Sequence, residues 1–201
     1  MRTNACIRVA RVEDAEEILN IYRPFILETA ATFEEEVPAL SAFQQRVGAI
    51  LKENPYFVCE YENRIVGFAY ASAYRSRAAY RWHREISVYV HPGFYRKNIA
   101  RALYHVLLAT LKRQGFVAAF GVITLPNQGS VALHESFGFR PLTIYKHIGF
   151  KLGHWHDVGW WELDLAEDRD TMPKEITPFP RIKNRDELAR DIENAESFLH
   201  I

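Results

Sequence analysis

The chain has 201 residues, enough for one well-buried domain, and its 48% hydrophobic and 13% aromatic content indicates a packed core, not a disordered chain. Its 25 basic residues balance 25 acidic ones, so no global field attracts nucleic acid or an anionic membrane, and no apolar run approaches the roughly 20 residues of a membrane helix. The opening MRTNACIRVARVED lacks the apolar stretch of a secretion signal, and Cys6 and Cys59 are too few for a disulfide framework or a zinc motif; a cytoplasmic protein is the expectation.

Cys6–Val12 reads as a first strand with Ile7 and Val9 on one face. Asp14 is the expected N-cap of a helix reaching about Glu28, whose apolar face is Ile18, Ile21, Tyr22 and Phe25. Pro24 inside it is expected to kink or divide that helix, because proline lacks the N–H and clashes one turn back. After a loop from Thr29 to Val37, Ser41-Ala-Phe-Gln44 has the capping-box pattern and opens a helix to about Glu53. Tyr56–Glu60 and Ile65–Tyr74 read as a hairpin, followed by an arginine-rich loop, Arg75-Ser-Arg77-Ala-Ala-Tyr80-Arg81.

In His83–Val90, Ile86, Val88 and Val90 alternate with Glu85, Ser87 and Tyr89, the two-residue period of a strand. His91-Pro92-Gly93 ends it. Ile99, Leu103, Leu107 and Leu111 then mark a helical stripe. A strand, a short basic loop and a helix N-terminus together suit an anion, since free backbone N–H groups converge there and the helix dipole adds partial positive charge. Val117–Thr124 is a buried-strand candidate, Ser130–Phe137 a short helix closed by Gly138, and Arg140–Phe150 and Trp155–Leu165 two final strands. The order is strand, two helices, three strands, helix, strand, helix, two strands: α/β, with a mixed, mostly antiparallel sheet flanked by helices.

His91-Pro-Gly-Phe-Tyr95-Arg-Lys-Asn98-Ile-Ala100 resembles the coenzyme A loop of the GCN5-related N-acetyltransferases (GNAT), Gln/Arg-x-x-Gly-x-Gly/Ala after a strand. Ala100 matches, while Tyr95 and Asn98 stand in place of the usual Gln or Arg and of the first glycine. Four further stretches resemble the phosphinothricin and methionine sulfoximine branch of that family. These are Tyr74–Val90, the run from Asn127 to Phe139 (N-x-x-S-x-x-L-H-E-x-x-G-F), the run from Gly149 to Asp157 (G-F-K-x-G-x-W-x-D), and Thr29–Phe33. The resemblance covers roughly residues 6–165. It implies a GNAT fold over residues 1–165, an acetyl-CoA-dependent transfer to a small molecule's primary amine, no metal, and a homodimer joined near the final strands and the arginine loop.

The resemblance also implies roles. Acetyl-CoA is expected to lie along Val88, Tyr89 and Val90, on the loop residues Tyr95, Arg96, Lys97, Asn98, Ile99 and Ala100, and against Asn127 and Ser130. Glu85 is the expected general base, since an amine arrives protonated and must lose a proton before attacking a thioester; the alternative is a strand carboxylate paired with Arg77 or Arg84. His134 stands where many members carry a tyrosine thought to protonate the departing thiolate, and imidazole can also donate near neutral pH; the alternative is a helix-end cap. Asn127 can likewise be an N-cap. Arg75 and Arg77 are candidates for an amino-acid carboxylate, which guanidinium binds through two parallel hydrogen bonds, with Phe33 and Tyr80 as pocket walls. His154-Trp-His156-Asp157 places two imidazoles on one strand face, but a third ligand is not evident and a structural role is expected.

Residues 166–201 differ in character. Pro173, Pro178 and Pro180 prevent regular structure up to Arg181, Asn184-Arg-Asp-Glu187 imitates a capping box, and Leu188, Ile192, Ala195 and Leu199 form one helical stripe. A short helix docked on its own domain is expected, with a partner-binding helix as the alternative, and the tail is expected to be peripheral to catalysis. Two other functions stay open: transfer to a polyamine or a protein N-terminus, which three nearby arginines disfavour for a polycation, and a binding module that has lost turnover through Tyr95 and Asn98.

Overall fold

The strand carrying Glu85 is the middle one of seven. In the computed structural model, which describes residues 5–169 and 171–201, β1 (Ala5–Val9), β2 (Tyr56–Tyr61), β3 (Arg64–Ala73), β4 (His83–Val90), β5 (Ala118–Leu125), β6 (Arg140–Lys151) and β7 (His154–Asp164) form one sheet in the order β1-β2-β3-β4-β5-β7-β6. Every neighbouring pair is antiparallel except β4 and β5. Among the described residues the α-helices are α1 (Ala15–Glu28), α2 (Leu40–Leu51), α3 (Ile99–Gln114), α4 (Gln128–Ser136) and α5 (Asp186–Glu196). This is the expected mixed, mostly antiparallel sheet between helices.

Strand alternation divides the core into two layers. Helices α1 and α2 cover one sheet face, where Ile18, Tyr22, Phe43 and Val47 pack with Tyr56, Val58 and Phe68. Helix α3 covers the other, where Leu103, Leu107 and Leu111 meet Phe57, Ala69, Ala71 and Ile86. Those three leucines are fully buried, each stabilising the fold by about 1.5–3 kcal/mol. Tyr89 shares a face with Glu85 and Ser87, but that face is not solvated here: its ring lies against Tyr22, Phe25 and Phe68.

The helix ends depart from the sequence reading. Asp14 holds the expected N-cap position of α1 but makes no side-chain hydrogen bond to that helix. It also closes a short turn, Val12–Asp14, and its carboxylate accepts from the Arg11 N–H at 2.7 Å and pairs with Arg8. Helix α1 runs without a break through Pro24, because buried Ile21, Tyr22 and Ile26 hold both sides of the lost hydrogen bond on the sheet. Helix α2 begins at Leu40 after Ala39, so Ser41 lies inside it and the expected capping box is not formed. Helix α5 likewise starts after Arg185, with no cap from Asn184.

The C-terminal stretch is strapped across the α3 face. The Trp82 indole donates to the Lys174 carbonyl, Gln114 donates to the Thr177 carbonyl, and Phe179 is fully buried against Phe57. Leu188, Ala195 and Leu199 join the α3 core, as the stripe implied. Glu196 accepts from the Ile7 N–H at 2.7 Å, which satisfies part of the exposed edge of β1.

Candidate active site

Strands β4 and β5 pair over three positions only: His83 with Ala118, Arg84 with Ala119, and Glu85 with Phe120. Beyond Glu85 no further pairing joins them, although β4 continues to Val90 and β5 to Leu125. The gap between them opens a cavity of about 630 Å³. It is walled by Ile86–Val90 on one side and Val122–Thr124 on the other, and it reaches both layers, touching Phe25 of α1 as well as Tyr104 of α3. Such a gap exposes strand N–H and C=O groups that a closed ladder would have used, so an extended ligand can take them up.

Of the residues expected to bind acetyl-CoA, Val88, Tyr89, Val90, Tyr95, Arg96, Asn98, Ile99, Ala100, Asn127 and Ser130 all line this cavity; Lys97 does not. The loop is built on two left-handed residues, Arg96 at φ 61° and Asn98 at φ 59°. Asparagine tolerates that region better than other non-glycine residues, so Asn98 keeps the turn that glycine would make. It is also the residue from which α3 departs, which leaves the first amides of the helix open to an anion.

Helix α4 brings the second group. Asn127 caps it, its Oδ1 accepting from the Ser130 N–H at 3.1 Å, so the capping role read as an alternative is realised at the cavity wall. His134 is 3% exposed. Its Nδ1 lies 2.7 Å from the Ser130 carbonyl and therefore donates; its Nε2, 3.1 Å from the Tyr104 hydroxyl, is then left to accept. Burial pushes the imidazole below its ordinary pKa and favours this neutral form. The ring lies over Gly121 of β5, where a Cβ would stand 2.4 Å from it. Only glycine leaves room for His134.

Glu85 is the last residue of β4 that pairs with β5, at the vertex of the gap; the cavity lining begins at the next residue, Ile86, and does not include Glu85 itself. Its carboxylate is half-buried, and burial raises its pKa while the neighbouring Arg75 lowers it. Arg75 Nη1 donates to Glu85 Oε1 at 3.3 Å, and the guanidinium stacks over Tyr74 at 4.5 Å and Trp160 at 5.3 Å. The arginine beside Glu85 is thus neither Arg77 nor Arg84. Arg84 faces the other layer, buried against Phe116 with Asn54 2.5 Å from its Nε, and burial lowers its pKa to about 10. Arg77 is exposed and makes no side-chain hydrogen bond or ion pair among the described residues. Tyr80 sets its ring edge against Tyr74 at 5.8 Å. Phe33 lies on Gly149 of β6, where a Cβ would come within 2.2 Å of its ring, and the Lys151 ammonium holds the Thr32 carbonyl at 2.7 Å. The Thr29–Phe33 loop is therefore fastened to the last hairpin.

The acetyltransferase (GNAT) domain family matches residues 7–160 of this chain. The chain belongs to the GNAT acetyltransferases. Phosphinothricin N-acetyltransferase of Streptomyces viridochromogenes is 32% identical over 176 residues, 88% of this chain and 95% of that protein. The L-methionine sulfoximine/L-methionine sulfone acetyltransferase of Salmonella typhimurium is 31% identical over 165 residues, 80% and 95% of the two chains. Among solved structures, a GNAT superfamily phosphinothricin acetyltransferase from Sinorhizobium meliloti, in complex with AcCoA, superposes with a TM-score of 0.83 at 35% identity, covering 88% of this chain and 97% of its own.

The GNAT match spans both strands that border the gap, and it leaves residues 166–201 outside the matched range. Two residues that the structure brings to the candidate site escaped the sequence reading. Tyr104 was hidden in the apolar stripe of α3; a tyrosine among leucines there is the signal that its hydroxyl has a buried partner. Trp160 was read only as part of a strand, and nothing local marks it as the platform for Arg75. In the His154–Asp157 segment, His156 Nε2 donates to the Lys151 carbonyl at 3.0 Å and Asp157 pairs with Lys146 at 2.7 Å. Among the described residues no group of His, Cys, Asp and Glu is arranged to hold a metal ion.

Proposed function

We propose that this GNAT enzyme moves acetyl from acetyl-CoA to the primary amine of an amino acid or analogue of the phosphinothricin and methionine sulfoximine type. The observation that carries the reading is the placement of Glu85, at the vertex of the β4–β5 gap and beside a guanidinium held by Tyr74 and Trp160. A cation there can fix a carboxylated substrate while a carboxylate of raised pKa takes its ammonium proton. The names of the relatives supply the same substrate class.

The residues fit acetyl-CoA. Left-handed Arg96 and Asn98, followed by the start of α3, offer amides and positive charge to a pyrophosphate, and Asn127 offers its side-chain amide to the pantetheine arm. The gap holds the thioester against β4. Glu85 accepts one proton from the ammonium, directly or through a water, which frees the nitrogen lone pair to form the N–C bond at the acetyl carbonyl. As the C–S bond breaks, the second proton shed by the nitrogen is taken up by the departing sulfur, through water or through the Tyr104 hydroxyl, which the neutral His134 holds in place by accepting at Nε2. Much of the rate enhancement comes from holding amine and thioester together in the passage.

We infer further that the enzyme is a cytoplasmic homodimer. No helix among the described residues is long and apolar enough to cross a membrane. Strand β6 is a sheet edge and carries exposed Leu142, Ile144, Tyr145, Ile148 and Phe150, with Trp155 beside it. An apolar edge of that extent supports pairing with a second copy.

The test is a turnover screen with acetyl-CoA against amino acids, their decarboxylated counterparts, polyamines and peptide N-termini, read by thiol release. Turnover confined to carboxylated amines is expected. A preference for polyamines or peptides would replace the substrate assignment.

A further inference from the structure

The last residues of the chain touch the proposed coenzyme loop. The His200 backbone N–H donates to the Lys97 carbonyl at 3.2 Å, and its Nδ1 lies 3.2 Å from the Asn98 side-chain amide nitrogen, which must be the donor if the ring nitrogen accepts. Two residues earlier, Phe198 lies under the guanidinium of Arg101 at 5.5 Å and beside the His105 ring at 5.1 Å. Asn98 and Arg101 both line the cavity. Between the two contacts Leu199 is buried in the α3 core, and just before them Glu196 is tied to β1. The segment is therefore anchored, and two of its side chains meet two residues of the passage.

We propose that Phe198 and His200 are positioning residues for acetyl-CoA: the C-terminal segment holds the pyrophosphate loop and Arg101 in their binding arrangement. The inference rests on the assignment of Tyr95–Ala100 as the coenzyme loop. In a trans peptide the C=O and the following N–H point to opposite sides. Turning the Lys97 carbonyl toward His200 therefore turns the Asn98 N–H away from the tail. Asn98 is left-handed, a state that glycine reaches without strain and asparagine only with a local cost. A hydrogen bond from its side chain to His200 offsets that cost and blocks competing rotamers. Arg101, exposed on the first turn of α3, is held by Phe198 near the place where phosphate charge would fall, and need not be ordered when the ligand arrives. By linkage, coenzyme binding must in turn stabilise the segment.

The experiment compares the full-length parent, His200→Ala and His200→Asn by calorimetric titration with coenzyme A, and by steady-state kinetics with acetyl-CoA and with S-acetyl-pantetheine, which has no phosphates. His200→Ala is expected to weaken coenzyme A roughly three- to tenfold, the range for one neutral hydrogen bond, and His200→Asn, whose Oδ1 replaces the accepting nitrogen, to return it to within about twofold of the parent. The kcat and the KM for S-acetyl-pantetheine should not move, and Tm should fall by no more than the few degrees that one neutral hydrogen bond contributes. Equal losses with both donors, or unchanged coenzyme affinity in His200→Ala, would overturn the proposal. Asn98→Val separates it from the loop assignment. If that variant weakens binding and His200→Ala does not, the tail inference alone fails; if neither does, the loop assignment fails with it.

Discussion

The Arg75 guanidinium donates to the Glu85 carboxylate at 3.3 Å while its Cζ lies 4.5 Å from the Tyr74 ring centre and 5.3 Å from that of Trp160. One contact thus joins the candidate substrate anchor to the candidate base. A substrate carboxylate that engages Arg75 would draw its charge away from Glu85 and leave that carboxylate the stronger base, so binding and proton removal reinforce each other in the proposed reaction.

Glu85→Gln keeps the shape of the vertex and removes the proton acceptor. Its kcat should fall by on the order of 10²–10⁴, the usual contribution of a general base. Coenzyme affinity, measured by calorimetry, should stay at the parental value. Parental turnover across pH 6–9 would place the base elsewhere.

Arg75→Ala should raise KM for carboxylated amines and spare their decarboxylated counterparts, whereas Arg77→Ala, altering an exposed side chain without an ion pair, should change neither. The same Arg75 variant tests the electrostatics. Burial raises the Glu85 pKa and Arg75 lowers it, so removing the arginine raises it further. Since the base works deprotonated, the acid limb of kcat/KM should move to higher pH in Arg75→Ala. A limb that stays in place would uncouple Glu85 from the pH profile.

Gly121→Ala puts a methyl where the His134 ring now lies, 2.4 Å from its nearest atoms. Overpacking of this kind costs about 1–3 kcal/mol, and here it also pushes the imidazole off the Tyr104 hydroxyl. The expected result is a lower Tm together with a lower kcat. Restoring neither by Gly121→Ala combined with His134→Ala, which empties the site of the clash, would show that the strain lies elsewhere; recovery of Tm without kcat is the outcome expected.

Asn98→Gly should bind acetyl-CoA as well as the parent or better, because glycine adopts φ 59° without a Cβ in the way. Asn98→Val should bind worse, since a β-branched residue resists the left-handed region. Titration calorimetry of the three proteins decides it, and equal affinity in all three would remove the conformational argument.

Replacing Ile148 by Glu on the exposed β6 edge should shift the protein toward a monomer in light scattering if that edge pairs two copies. Ile148 is 57% exposed in the single chain, so its loss should leave the monomer folded. An unchanged molar mass would send the search for the interface to another surface.

What the sequence by itself determined was whatever local periodicity controls. Two-residue alternation marked β4, four-residue spacing marked α3, and the Leu188–Leu199 stripe announced a helix with one face to bury. The loop chemistry between Tyr95 and Ala100 was also legible, since the left-handed tolerance of Asn98 is a property of the residue itself. Helix ends were less so: Asp14 holds the N-cap position of α1 but its carboxylate turns to Arg11 and Arg8, while an earlier start of α2 and a later start of α5 take Ser41 and Asn184 out of the cap position.

Only the tertiary structure decided which side chains meet. Arg75, Arg77, Arg81 and Arg84 all precede Glu85 closely in sequence, and the packing of Trp160 from β7 selects Arg75. His134 and Tyr104 are 30 residues apart, and His200 and Asn98 are 102 apart. No local period relates such pairs; they meet because two helices and a C-terminal strap pack on one sheet face. The β4–β5 gap has the same origin. Each strand is regular along its own length, and only their divergence after Glu85 and Phe120 makes a passage between them.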